Sequence, residues 1–325
     1  MVTLLIANLG VTIAEFAGIA ASLELLGINK YIAIPLIAFA IWFVLTKGSY
    51  SIVEKVFTLL SVVFVSYIIS AFFAKPEWGN VLHQSITPTF RWDKGFVLVF
   101  IGMIGTTISP YMQFYLQSSI VDKGITLKDY KYEKWDVFLG AFWQDFVAFF
   151  IIVSTAAVLY KNGILIETAE QAAIALRPFA GNFAYLLFAL GLFGASTLAA
   201  GVLPLSTSYA ICEAFGFESG LNNKFKDAPA FYSIYTFMIA ISAIVILIPN
   251  ISLMGIMVIS QQINGILLPI ILIFMLKLVN NKHIMGEHTN TKLFNFLAWG
   301  TVAFIVGLTV VLFGFYFTDL VKIIL

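Results

Sequence analysis

A run of polar side chains interrupts a long apolar segment of this sequence. Residues 104–117 read IGTTISPYMQFYLQ, with a glycine before the polar run and a proline within it. Glycine lowers helix preference and proline removes a helix hydrogen bond, so we predict a break in the helix near residues 106–110. Backbone carbonyls freed by such a break can bind a ligand. The polar side chains beside the break are Thr106, Thr107, Ser109, Tyr111, Gln113 and Gln117.

The residues alone leave two interpretations of this break open. Secondary transporters use unwound carbonyls near the membrane midplane to coordinate cations. The structural alternative is a proline kink whose hydroxyls bond back to their own helix. The crowding of polar side chains in so short a run favours a binding site.

The composition indicates what kind of protein must position this break. Hydrophobic residues make up 61% of the chain, charged residues 11%, and the mean hydropathy is +0.98. A soluble domain carries about 25% charged residues. The net charge of +1 gives no sign of a nucleic-acid partner, and the single Cys212 excludes an internal disulfide or a cysteine-based metal cage. We therefore predict an all-α polytopic membrane protein.

About nine segments are long enough to cross a bilayer, which takes about 20 apolar residues each. If residue 1 is cytoplasmic, the inner loops carry more lysine and arginine than the outer loops, as the positive-inside rule expects. The chain is interpreted as a single transmembrane transporter domain over residues 1–325, in the plasma membrane, with a cytoplasmic N-terminus. The predicted spans are 2–28, 31–46, 53–74, 95–121, 135–160, 183–214, 230–249, 252–279 and 294–318.

Four segments resemble, in order, membrane helices of the NRAMP divalent-metal transporters. The run GTTISPYMQFYLQSS (105–119) resembles the family's sixth helix, whose motif is G-A-T-x-M-P-H followed by Y-L-H-S. The runs TIAEFAGIAASLELLGI (12–28), GVLPLSTSYAICEAFGF (201–217) and SQQINGILLPI (260–270) resemble its third, eighth and tenth helices. The resemblance implies divalent-cation transport by a LeuT-like inverted-repeat helix bundle.

The first departure from the family pattern is at the start of the chain. The family's first helix carries an Asp-Pro-Gly-Asn motif that gives ligands to the metal, and this sequence contains no Asp-Pro-Gly. Its opening aligns with the third family helix, so the sequence corresponds to helices 3–11. We therefore expect an N-terminally truncated member whose bundle lacks the first two helices.

The second departure concerns the metal ligands that the resemblance implies. The family's methionine is replaced by Ser109, the carbonyl expected to face the ion belongs to Thr106, and Gln261 matches a tenth-helix glutamine. Oxygen ligands suit Mg²⁺ and Mn²⁺, whereas a thioether favours softer transition metals. The sequence thus resembles the branch that lacks the methionine and is associated with magnesium and manganese. Further residues assigned to the transport pathway are Glu15, Tyr111, Gln113, Gln117 and Asn264.

The third departure concerns proton coupling. The two histidines of the family's sixth helix correspond to Tyr111 and Gln117, and the aspartate of its third helix corresponds to Thr12. The arginine pair of the ninth helix corresponds to Ser242 and Ala243. We therefore expect transport that is not coupled to protons.

Other functions remain open at this stage. An organic-solute transporter of the same fold would use the broken helix to bind a carboxylate, and an inactive fragment would lack half of the metal site. No catalytic constellation indicates an enzyme, and no cofactor is expected beyond Mg²⁺ or Mn²⁺ as the transported substrate. The expected partners are a divalent metal ion and the lipid bilayer, without nucleic acid, and a monomer is the working assumption.

Overall fold

The computed structural model describes residues 1–47, 62–122, 124–221 and 223–324, and within these ranges the regular structure is entirely helical. Short helical turns at Ala169–Ala173, Arg177–Ala180 and Lys282–Met285 lie between the longer helices. The longer helices are α1 Val2–Leu25, α2 Lys30–Lys47, α3 Val65–Phe73, α4 Trp78–Ile86, α5 Lys94–Thr107, α6 Pro110–Asp122, α7 Tyr130–Val158, α8 Ala184–Phe215, α9 Pro229–Ile246, α10 Leu253–Val279 and α11 Lys292–Ile324.

Seven helical segments of the described chain are long and apolar enough to cross a membrane. They confirm the all-α membrane prediction and match seven of the predicted spans. The predicted span 31–46 corresponds to α2, which is apolar but shorter. The predicted span 53–74 begins outside the described residues. The seven segments are Val2–Leu25, Lys94–Val121, Tyr130–Asn162, Ala169–Phe215, Pro229–Ile246, Leu253–Val279 and Lys292–Phe317.

Helix α1 lies at the centre of the bundle, packed along α8, α9 and α10. In the most apolar stretch of α1, 67% of residues are buried, whereas in those of α7 and α11 only 22% are buried. Helices α7 and α11 therefore lie on the outside of the bundle. Small residues allow this close packing, because they let helix backbones approach each other. At Gly18 even a methyl group would come 3.1 Å from the Cβ of Ser196 on α8.

The structure confirms the predicted break between residues 106 and 110. Helix α5 ends at Thr107, Ile108 leaves the helical region with φ −114° and ψ 70°, and α6 begins at Pro110. Proline suits a first helical position, because it has no N–H to leave unpaired and its φ is already helical. The local sequence therefore explains both the end of α5 and the restart at α6.

The two halves of this broken helix pack against different neighbours. Helix α5 packs along α10 and against α11, whereas the main neighbour of α6 is α8. The break between them lies where the two sets of helices meet. The break is thus partly enclosed by protein, with Ile108 half-buried and Ser109 buried.

Candidate functional site

The carbonyl groups at the end of α5 are the first component of the site. A helix leaves its last carbonyls without intrahelical partners. Here Ser109 Oγ donates to the Gly105 carbonyl at 3.1 Å and lies 3.4 Å from the Thr106 carbonyl. Gln144 Nε2 of α7 lies 3.5 Å from the Thr107 carbonyl. The Gly105 carbonyl is well satisfied, whereas those of Thr106 and Thr107 have only long contacts and can accept a further ligand.

Asn264 of α10 ties the break to the neighbouring helix. Its Nδ2 donates to the Gly105 carbonyl at 2.6 Å and lies 3.3 Å from Ser109 Oγ. A carbonyl only accepts hydrogen bonds, so the nitrogen of the Asn264 amide must face Gly105. The amide oxygen, Oδ1, therefore points the other way, and it is buried without a hydrogen-bond partner.

Two more buried amide oxygens near the break also have no partner. They are Oε1 of Gln261, on α10 one turn before Asn264, and Oε1 of Gln113, on α6 one turn after Ser109. Nearly all buried polar atoms in proteins are hydrogen-bonded, so each exception calls for an explanation. All three are acceptors. Acceptor atoms without donors are what a cation requires of its ligands.

Two glycines bring α5 and α10 close enough to build this arrangement. A Cβ on Gly105 would lie 2.5 Å from the Gln261 carbonyl oxygen and 2.7 Å from Gly265 Cα. A Cβ on Gly265 would collide with the Ile101 carbonyl group. The backbones therefore touch directly, and this contact sets the distance between the end of α5 and the side chains of α10.

Glu15 of α1 is the carboxylate associated with the break. Its carboxyl group lies beside the Ser196 hydroxyl of α8 and within electrostatic range of Tyr111 at the start of α6. Both Glu15 and Tyr111 are half-buried. The structure thus groups two of the pathway residues predicted from the sequence.

Helix α6 is held to α8 at both of its ends. Ser206 Oγ donates to the Tyr111 carbonyl at 3.2 Å, and Ser118 Oγ donates to Glu213 Oε1 at 2.9 Å. Sequence analysis did not single out Ser206 or Glu213. The run LSTS at residues 205–208 was the available signal, because three consecutive hydroxyls in a membrane helix usually contact another helix.

A second polar contact missed by the sequence analysis joins α1 to α8. Asn8 Nδ2 donates to Thr207 Oγ1 at 2.8 Å, and Thr12 Oγ1 donates to the Asn8 carbonyl at 2.7 Å. All three residues are buried. The Thr12 hydroxyl, which stands where the family resemblance places an aspartate, is therefore occupied within its own helix.

The side chains of two other predicted site residues do not face the break. The side chain of Gln117 is exposed on α6, two turns beyond the break, and that of Thr106 is also exposed, so only its carbonyl belongs to the end of α5. Gln117 was predicted as a pathway residue because it is polar and lies on the helix that follows the break. Helix periodicity alone does not show which face of α6 packs against the rest of the bundle. The expected roles of Thr106, Ser109 and Gln261 as metal ligands remain predictions.

An acidic cavity opens at the end of the bundle where α1 finishes and α10 begins. It encloses about 370 Å³ and is lined by three carboxylates, Glu24, Glu167 and Glu170, and by Ser252. The described residues include no group of three or more histidine, cysteine or acidic side chains that could hold a metal ion. The cavity can therefore attract cations but has no compact set of ligands. Sequence analysis missed Glu167 and Glu170, which lie in a connecting segment.

Comparison with known proteins identifies a protein family that matches this chain. A family model described as natural resistance-associated macrophage protein-like matches residues 1–314. A protein from Caldanaerobacter subterraneus is 28% identical over 79% of this chain and 60% of its own length, and one from Clostridium acetobutylicum is 29% identical over 79% and 58%. One from Bacillus subtilis is 25% identical over 92% and 70%.

All three relatives are named divalent metal cation transporter MntH, which describes a transporter rather than an enzyme. The chain spans about three fifths of the length of the first two, 60% and 58%. The family match covers most of the chain, and the apolar helices make it an integral membrane protein. The chain therefore belongs to the Nramp family.

Proposed function

We propose that this chain forms the larger part of a divalent-cation transporter whose substrate passes the break between α5 and α6. The observation that carries the proposal is the set of three buried amide oxygens without partners, on Gln113, Gln261 and Asn264. An ion that accepts their lone pairs removes the cost of burying them, which is about 1–3 kcal/mol for each unsatisfied group. The names of the relatives agree with this substrate class.

The polarity of the unpartnered atoms favours a cation over an organic carboxylate. A carboxylate substrate would require unpaired donors, such as the N–H groups at a helix start. Here α6 begins with Pro110, which has no N–H, and the Met112 N–H bonds to the Ser109 carbonyl at 3.2 Å. The buried side-chain atoms without a partner on Gln113, Gln261 and Asn264 are all amide oxygens. We therefore favour a metal ion over the organic-solute alternative.

The ligand chemistry favours a hard ion. Amide and hydroxyl oxygens suit Mg²⁺ and Mn²⁺, and the position that the resemblance assigns to a sulfur ligand is Ser109. These oxygens are neutral, so they compensate little of the ion's charge. We propose that the ion keeps part of its water shell, as Mg²⁺ commonly does, or receives a carboxylate from beyond the residues described here.

We propose that the acidic cavity attracts cations before they reach the break. Carboxylates lining a cleft raise the local concentration of cations and their rate of association. The cavity lies at the end of α1 opposite the N-terminus, so a cytoplasmic N-terminus in the plasma membrane puts Glu24, Glu167 and Glu170 on the outer side. With this orientation, we propose that the cavity is the entrance for uptake.

The packing of α5 and α6 suggests how the cation path could open to one side of the membrane and then to the other. Helix α5 is tied to α10 through Asn264 and the two glycines, and α6 is tied to α8 through Ser206 and Glu213. Relative movement of these two groups would bend the chain at Ile108 and Ser109. We propose a LeuT-like exchange of access around the break. We propose that it proceeds without proton coupling, because the family's aspartate, histidine pair and arginine pair are replaced in this sequence.

Binding of Mn²⁺ to the purified chain tests this function, with electron paramagnetic resonance reporting the free ion. We expect Mn²⁺ to bind, Mg²⁺ to compete for it, and Gln261→Ala and Gln113→Ala each to weaken binding about tenfold, or ~1.4 kcal/mol. Gln262→Ala is the matched control, since Gln262 is the next residue on α10 and its amide is not among the buried unpartnered atoms.

Two results of the binding experiment would count against the proposal. If wild-type protein binds no Mn²⁺ while remaining folded, the proposal fails, and the organic-solute transporter and the inactive fragment are the remaining alternatives. If Gln261→Ala and Gln262→Ala behave alike, the unpartnered oxygens do not hold the ion.

A further inference from the structure

A groove at one end of the bundle has a composition that the transport function does not explain. It lies beside the connection between α6 and α7 and encloses about 420 Å³, within the usual range of about 300–1,000 Å³ for ligand pockets. Its walls are mostly apolar and come from three helices and the connection between two of them: Leu116 and Ile120 of α6, Leu127 of the connection, Tyr130 and Val137 of α7, and Phe294 of α11. The break between α5 and α6, at residues 108 and 109, contributes none of the residues that line the groove, so the groove is a separate feature.

The groove lies beside the ends of three helical segments that are long and apolar enough to cross a membrane. Helix α6 ends at Asp122, α7 begins at Tyr130, and α11 begins at Lys292, two residues before Phe294. Three exposed aromatic residues, Tyr130, Tyr132 and Trp135, follow within the first turns of α7. Tyrosine and tryptophan are enriched at the level of lipid headgroups. An apolar groove at this level is open to an acyl chain from the adjoining leaflet.

Two side chains of opposite charge line the groove among its apolar walls. Glu133 and Lys134 are consecutive residues in the first turns of α7, and neither has an ion-pair partner among the described residues. Glu133 is half-buried in the first turn of the helix, where the helix dipole stabilises its negative charge. Lys134 is exposed. A ligand bound here thus meets one cationic and one anionic group.

The charges on the stretch that leads into α7 alternate instead of accumulating. On the same stretch Lys128 is followed by Asp129, and Lys131 and Lys134 are offset by Glu133 and Asp136. Anionic lipids are recognised by clusters of lysine and arginine with an excess of positive charge. A balanced pair instead complements a headgroup that carries both signs.

We propose that this groove binds a phospholipid whose headgroup joins a phosphate to a primary ammonium, as in phosphatidylethanolamine. The acyl chain occupies the space between α6, α7 and α11. The Lys134 ammonium pairs with the phosphate, and the Glu133 carboxylate accepts hydrogen bonds from the lipid ammonium. A quaternary ammonium has no N–H to donate, so a choline headgroup of equal charge loses the second interaction.

Native mass spectrometry of the full chain, offered equal amounts of ethanolamine, choline and glycerol phospholipids, tests this site. We expect the ethanolamine lipid to be retained about tenfold more than the choline lipid. Glu133→Gln should abolish that preference while choline lipid is still retained. Lys134→Gln should lower retention of every phospholipid, and Val137→Trp, which fills the groove, should do the same. Glu218→Gln and Lys224→Gln change charges in the connection between α8 and α9 and serve as controls.

Several outcomes would overturn the proposal. Equal retention of ethanolamine and choline lipids by wild type removes the role of Glu133, and a preference for the glycerol lipid shows an ordinary anionic-lipid surface. Unchanged retention in Val137→Trp, with helical content preserved in circular dichroism, places the lipid elsewhere. Disulfide trapping of a protein segment at Leu127→Cys in native membranes shows that protein covers the groove.

Discussion

The side-chain nitrogen of Asn264 lies 2.6 Å from the carbonyl oxygen of Gly105, across 159 residues of sequence. This hydrogen bond caps the end of α5 from a neighbouring helix and fixes the orientation of the Asn264 amide. Because the nitrogen is committed to Gly105, the amide oxygen stays free and buried. One side chain thus stabilises the broken helix and supplies an acceptor to the proposed cation path.

Replacing Asn264 by leucine should affect both stability and ion binding. The lost hydrogen bond should cost ~1 kcal/mol of unfolding free energy, since single interhelical hydrogen bonds in membranes average about 0.6 kcal/mol with a maximum near 1.7. Denaturant titration in detergent measures this. A double-mutant cycle with Ser109→Ala should show coupling, because Asn264 contacts Ser109 Oγ at 3.3 Å. Additive effects of the two substitutions would mean that the contact has no energetic role.

Ser109→Met should shift selectivity towards soft ions. A thioether gives little to Mg²⁺ and more to Cd²⁺, so Cd²⁺ binding should strengthen by ~1–2 kcal/mol while Mg²⁺ binding weakens. The added bulk near the buried Ser109 contributes to the loss for Mg²⁺. Paired competition of Mg²⁺ and Cd²⁺ against Mn²⁺ measures both. A wild type that strongly prefers Cd²⁺, or a variant that changes neither ion, would show that Ser109 does not face the cation.

Gly265→Ala should separate α10 from α5. The new methyl group would collide with the Ile101 carbonyl group, and overpacking of this kind costs about 1–3 kcal/mol. We expect a lower midpoint of thermal unfolding and weaker Mn²⁺ binding, because both helices carry site atoms. Gly307→Ala on α11 is the control, since nothing lies within 4 Å of its added methyl group. Equal effects of the two substitutions would contradict the close contact.

Cation uptake should proceed without proton movement. Thr12 stands where the family resemblance places an aspartate, and its hydroxyl donates within its own helix, so Glu15 lacks the acid that would pair with it on α1. Proteoliposomes with an internal pH dye measure coupling directly. We expect Mn²⁺ uptake with no acidification. Acidification that follows cation uptake and disappears without the cation would refute the prediction, and Glu15→Gln would then identify the acid.

Neutralising the acidic cavity should slow ion entry without altering the site at the break. In Glu167→Gln/Glu170→Gln the apparent KM for Mn²⁺ should rise several-fold at low salt, and the difference should shrink at high salt, because screening weakens long-range attraction. Equilibrium Mn²⁺ affinity should stay within about twofold of wild type. Glu77→Gln is an exposed control outside the cavity. A salt-independent change in KM would indicate direct coordination instead of attraction.

The amino-acid sequence by itself determined the membrane class, most of the spans and the position of the helix break. These properties are local: apolar content sets which segments enter a membrane, and Gly105 and Pro110 act on their own turn of helix. Residues 105–110 therefore predicted the interruption that the structure places between Thr107 and Pro110.

The tertiary structure decided which polar atoms face one another. Helix periodicity did not predict that Asn264 would cap Gly105, that Gln117 would be exposed, or that Ser206 and Glu213 would hold α6. These contacts join residues about 95 to 159 positions apart and depend on the direct approach of backbones at Gly105 and Gly265. Only the packed bundle shows which oxygens remain buried without donors, because that depends on what every neighbouring helix supplies.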